Sequence, residues 1–129
     1  MRQAARDIIL QLKAELEKRV RGVVAEASGE ALTPETMAEI ALNISRNVAD
    51  AQVSILCSVR DREKLEKAVI ASLGKSFAAA PRVFPDSSID GGMEISLRDG
   101  EYYFDFTVPA LTEMIAGLVG ERIAAVLEK

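Results

Sequence analysis

Residues 91–108 read GGMEISLRDGEYYFDFTV. Met93, Ile95 and Leu97 alternate with Glu94, Ser96 and Arg98; beyond Asp99-Gly100, Tyr102, Phe104, Phe106 and Val108 alternate with Tyr103, Asp105 and Thr107. A period of two puts one set on a packed face and the other in water. Asp-Gly is a favoured dipeptide for the two centres of a type I′ turn. The stretch therefore predicts a β-hairpin. Tyr102 and Tyr103 fall on opposite faces, so one is expected in the core and the other is a candidate contact residue. Glu94 and Asp105 are expected near one another across the hairpin, on its wetter face.

Upstream, Gln52–Val59 (QVSILCSV) alternates in the same way, with Val53, Ile55, Cys57 and Val59 on one face, and predicts a strand. Asp61 is placed to open a helix from Arg62 to about Phe77, with Leu65, Ala68, Val69, Ser72 and Leu73 inward. Ala79-Ala80-Pro81 breaks it. Val83 and Phe84 predict a short strand, and Pro85 suits an edge position because it cannot donate to a ladder. Thr33-Pro34-Glu35 is an N-cap, a proline at the first helical position and an acid in the first turn. It predicts a helix to about Asp50 with Met37, Ile40, Ala41, Ile44 and Val48 as its stripe.

The two ends of the chain read as longer helices. Ala5, Ile9, Leu12, Leu16, Val20, Val23 and Ala27 recur at steps of three and four, close to a heptad seam. Ser28-Gly29 is expected to end that helix, with Gly29 as a left-handed cap. At about 1.5 Å per residue the helix is nearly 40 Å long. No capping residue precedes it, so further sequence is expected upstream. Pro109 opens the last helix, to Lys129, along Leu111, Ile115, Leu118, Val119, Ile123, Val126 and Leu127. The order α-α-β-α-β-β-β-α gives an α+β class. N-terminal helices are followed by a small mixed or antiparallel sheet with helices packed on it.

Composition narrows the function. The 129 residues are 49% hydrophobic and 28% charged, with 5% aromatic and no Trp, so the core is aliphatic. The net charge of −4 argues against a nucleic-acid footprint. There is no histidine, which removes His-based zinc sites, Ser-His-Asp triads and Cys-His pairs. The single Cys57 sits among apolar residues with no cationic neighbour and is expected to be an inert thiol. No apolar run approaches the roughly 20 residues of a membrane span. Gly74-Lys75-Ser76 resembles the end of a P-loop, but Val69 occupies the position of its first glycine and the triplet follows a helix, so no phosphate cradle is expected. Asp86, Asp90, Glu94, Asp99, Glu101 and Asp105 form an acidic stretch without EF-hand spacing, and a solvated face accounts for it. No catalytic, cofactor-binding or metal-binding residues are assigned. An enzyme using Glu94 and Asp105, and a dimer pairing through the first helix, stand as other readings.

Asp90-Gly91-Gly92-Met93-Glu94-Ile95-Ser96-Leu97-Arg98-Asp99-Gly100, the Tyr102-Tyr103-Phe104-Asp105-Phe106 strand and the helix from Pro109 together resemble the C-terminal head of the E subunit of V/A-type rotary ATPases. The helix, strand and helix before them agree in order, so the resemblance covers the whole chain. Family members carry a much longer N-terminal helix that pairs with a second stalk subunit, and only its last turns would be present here.

The resemblance implies a peripheral-stalk subunit, a stator that holds the catalytic head against rotor torque and is not itself a catalyst. It implies residues 1–28 as the end of a stalk helix and 29–129 as an α+β head. Expected partners are a helical stalk subunit, in a coiled coil, and the catalytic-head subunits, with no nucleic acid, no cofactor and no insertion into the membrane. The setting it implies is cytoplasmic, peripheral to the membrane. Ile9, Leu12 and Leu16 are the expected seam with the partner helix, and Arg98 and Tyr103 the outward residues of the head. A stator-like regulator of a flagellar or type III secretion ATPase, from a family that resembles these stalk proteins, is the alternative.

Overall fold

The computed structural model describes residues 2–48, 52–73, 81–98 and 100–127. Along them run α1 (Arg2–Ala31), α2 (Pro34–Asn47), β1 (Val53–Cys57), α3 (Arg62–Leu73), β2 (Arg82–Pro85), β3 (Gly92–Leu97), β4 (Tyr102–Thr107) and α4 (Val108–Leu127). The class is α+β, and the elements follow the expected order. They form two compact units, Met1–Ser28 with Pro109–Lys129 and Gly29–Val108. The terminal helix, read above as part of the head, groups with α1.

In the unit Gly29–Val108 the strand order is β2-β1-β3-β4. β1 pairs with β2 in parallel and with β3 antiparallel, and β3 pairs antiparallel with β4, so the sheet is mixed. Ile55 faces Ile95, which in turn faces Phe104. Val53, Ile55 and Cys57 of β1 and Met93, Ile95 and Leu97 of β3 are all buried. Helices α2 and α3 pack against each other and over β1, β2 and β3, adding Met37, Ala38, Ala41, Leu42, Leu65 and Val69 to the core. Among the described residues no buried core side chain is aromatic.

Local chemistry sets the helix ends. The Thr36 amide donates to Thr33 Oγ1 at 3.2 Å, and Pro34 holds the first turn, as the sequence predicts. At the other end of α2, Asn47 Nδ2 donates to the Asn43 carbonyl at 2.7 Å. The Asp61 and Arg62 amides both donate to the Ser58 carbonyl, and Ser58 Oγ also accepts from the Asp61 amide. Ser58 thus helps to turn the chain from β1 into α3, alongside Asp61, whose carbonyl accepts from Leu65.

Several expectations are corrected. Gly29 lies inside α1, which continues to Ala31, and its φ is not positive. Leu32, just beyond the helix end, is buried, so packing carries the helix past a residue of weak propensity. Val59 is exposed beyond the end of β1. Neither hairpin tyrosine is in the core: Tyr102 is 49% and Tyr103 56% exposed. β4 is an edge strand of the sheet. Among the described residues of the hairpin loop, Arg98 (φ 51°) and Gly100 (φ 92°) are left-handed. The Gly100 amide donates to Leu97 O and the Glu101 amide to Arg98 O, each at 3.2 Å. Asp99, Gly74-Lys75-Ser76, Phe77 and the break at Ala79-Ala80 lie outside the described residues.

Candidate interaction surfaces

The unit Met1–Ser28 with Pro109–Lys129 is built from α1 and α4. Arg21 Nε lies 3.1 Å from Glu113 Oε1, an exposed ion pair between the two helices. Leu16 joins Val119, Ile123, Val126 and Leu127 around a shallow apolar groove of about 230 Å³, rimmed by Arg122. Leu16 and Val20 are half-buried. The rest of the predicted seam is open: Ile9 is 43% and Leu12 47% exposed, and Val23 is exposed as well. Ile8 and Leu10, which the seam did not include, are exposed too, as are Met114, Leu118 and Val126 on α4. A two-helix unit has only one helix–helix contact in which to hide apolar residues, so much of its hydrophobic surface stays in water. These exposed apolar residues make the α1–α4 unit a candidate interaction surface.

The second surface is the outer strand of the sheet. Arg98 Cζ lies 5.6 Å from the centroid of Tyr102, a cation–π distance. Phe104 stacks with Phe106 at 6.1 Å between centroids. Tyr103 lies on the opposite face, where Glu94 pairs with Asp105 across the ladder, as the alternation predicts. Hydrogen bonding to the Glu94 carboxylate, with smaller contributions from burial and the nearby acids, pushes Tyr103 up to about 12. Arg98, in the hairpin loop, thus lies over the Tyr102 face, and Tyr103 is on the opposite face of β4.

No family model matches the chain. Individual proteins do. The V-type ATP synthase E subunit of Treponema pallidum is 22% identical over 128 residues, 97% of this chain. Its counterpart in Treponema denticola is 22% identical over 130 residues, and the V-type proton ATPase E subunit of Borrelia duttonii is 20% identical over 128 residues, each match covering 98% of the chain.

The chain is similar to E subunits of V-type ATP synthases. It spans 55%, 63% and 65% of these three E-subunit relatives. No helix among the described residues is long and apolar enough to cross a membrane. The exposed residues that the heptad pattern missed, Ile8, Leu10 and Met114, had a visible signal at one end. Ile8-Ile9-Leu10 is an apolar run that no single helical stripe accommodates, so part of it faces away from any one neighbour.

Reactive chemistry is sparse. Cys57 is buried, and desolvation, with Asp61 nearby, pushes its thiol up to about 11. Because the folded value lies above the ordinary value of 9.0, folding favours the protonated thiol. The stability from Cys57 is fully present below pH 9 and is lost as pH rises towards 11. Native chain at pH 8 is expected to resist a thiol reagent that reacts at once in denaturant. Rapid labelling without denaturant would contradict this. Among the described residues no group of three or more Cys, Asp or Glu side chains surrounds a metal position.

Proposed function

We propose that this chain is the globular end of a peripheral stalk. It is a non-catalytic stator component of a V-type rotary ATPase, holding the catalytic head against rotor torque. The observation that carries the reading is the match to V-type ATPase E subunits over 97–98% of the chain. The exposed apolar residues of α1 and α4 support it, because a stator works through stiff helices and broad contacts. Residues 1–28 then act as the end of a stalk helix, with Ile9, Leu12 and Leu16 facing a partner helix. Arg98 and Tyr103 contribute to the grip on the catalytic head. The working location is cytoplasmic, at the periphery of the membrane sector.

The test is co-purification of the tagged chain with the catalytic-head and stalk subunits of its source cell. Ile9→Glu with Leu12→Glu is expected to lower recovery of the helical stalk partner at least tenfold. The helical content of the chain should hold, since exposed substitutions cost within about 0.5 kcal/mol. Undiminished recovery would sink the seam assignment. The purified chain is expected to hydrolyse no ATP, and measurable turnover would overturn the stator reading itself.

A further inference from the structure

β4 is an edge with two unlike faces. The Val108 amide donates to Gly91 O at 3.1 Å, so Tyr102, Phe104 and Phe106 turn their backbone groups towards β3. Tyr103, Asp105 and Thr107 therefore turn theirs away from the sheet. One of these outward donors is occupied: Asp105 Oδ1 accepts from the Thr107 amide at 2.9 Å and from its hydroxyl at 2.6 Å. Among the described residues the amides and carbonyls of Tyr103 and Asp105 have no ladder partner. On the helix-facing side the edge is aromatic, with Tyr102 and Phe104 (41% exposed) in water. On the other side Tyr103 shares its face with Glu94 and Asp105, neither of which takes part in an ion pair among the described residues.

We propose that the outer edge of β4 accepts a partner strand by β-augmentation, and that this strand alternates apolar residues with Lys or Arg. The backbone of Tyr103 and Asp105 supplies the ladder. The partner's apolar residues extend the row of Tyr102 and Phe104, and its cations lie beside Tyr103, Glu94 and Asp105, because neighbouring strands keep side-chain faces in common. An acidic strand is disfavoured by the like charges it would meet. The cap on Thr107 ends the ladder and fixes its register. So short a ladder makes the contact weak and exchangeable, suited to a site joined with others. The assignment does not depend on the stator reading.

The experiment uses the full chain, isotopically labelled, and a synthetic seven-residue peptide of alternating Val and Lys with blocked ends. Saturable amide shifts confined to residues 102–107 and their β3 neighbours are expected. Replacing Lys by Glu in the peptide should weaken binding at least tenfold. Asp105→Lys should reverse that preference; if it fails to fold, Glu94→Gln should still weaken the Lys peptide severalfold. Methylating the peptide amides that enter the ladder should abolish the shifts. Shifts scattered over the surface, or retained with the methylated peptide, would overturn strand addition. Concentration-dependent shifts at 102–107 without peptide would assign the edge to a second copy of the chain and overturn the proposed partner.

Discussion

Gly92→Ala is expected to lower the melting temperature by roughly 10–20 °C, or to leave the chain largely unfolded at 37 °C. Gly92 begins β3 with φ +82°, a left-handed conformation that costs a residue with a Cβ about 1–3 kcal/mol. The steric problem is worse. A Cβ there would stand 2.3 Å from the carbonyl oxygen of Phe106 and 2.7 Å from Thr107 Cα. Both are backbone atoms of the paired strand, so no side-chain rotation relieves the clash and the β3–β4 ladder must separate at its end. Together the two effects amount to about 3–5 kcal/mol, a large part of the stability of a domain this size. Gly100→Ala is the control. Its φ is +92° but nothing lies within 4 Å of the added Cβ, so only the backbone strain applies. Thermal unfolding followed by circular dichroism separates the two. Equal losses would mean that the close approach of the strands at Gly92 has no energetic consequence.

Ile55→Ala and Ile95→Ala are each expected to cost about 2–5 kcal/mol. The two residues face each other on β1 and β3, both fully buried, on the two central strands of the sheet. Truncating either leaves a cavity lined by well-packed neighbours from α2, α3 and the sheet. The double variant should cost less than the sum, because the second truncation enlarges a space already opened. Phe104→Ala, one strand further out and opposite Ile95, removes more atoms yet should cost only about 1 kcal/mol, since its ring is already substantially in water. Urea titration of the four variants checks the ranking. A Phe104 variant less stable than Ile95→Ala would show that the edge strand is buried in solution.

That contrast marks where local pattern stops being informative. Phe104 and Ile95 have the same signature, an apolar residue in a period-two run. Alternation told which residues share a face, and the register agrees: Glu94 does pair with Asp105 and Ile95 with Phe104. It could not tell which strand is central, because that depends on pairings between segments far apart in the chain. The parallel partnership of β1 with β2 and the placing of β4 at the edge decide that Tyr102 is exposed while Leu97, its ladder partner, is buried. The same limit explains the misread end of α1. Gly29 is a stop signal by propensity, but burial of Leu32 beyond it outweighs a cost of about 1 kcal/mol.

By itself, the sequence determined the elements and their order, the α+β class, the Thr33-Pro34 helix start, the pairing of the hairpin faces and the similarity to V-type ATPase E subunits. These are properties of neighbouring residues or of the whole string, so no distant contact is needed to read them. The tertiary structure alone decided which apolar residues are core and which are surface. A seam on α1 looks the same whether or not a helix covers it, and an aromatic row on a strand looks the same at the centre of a sheet and at its edge. Burial is a property of what packs against a residue, and in this chain the packing leaves Ile9, Leu12, Tyr102 and Phe104 facing water.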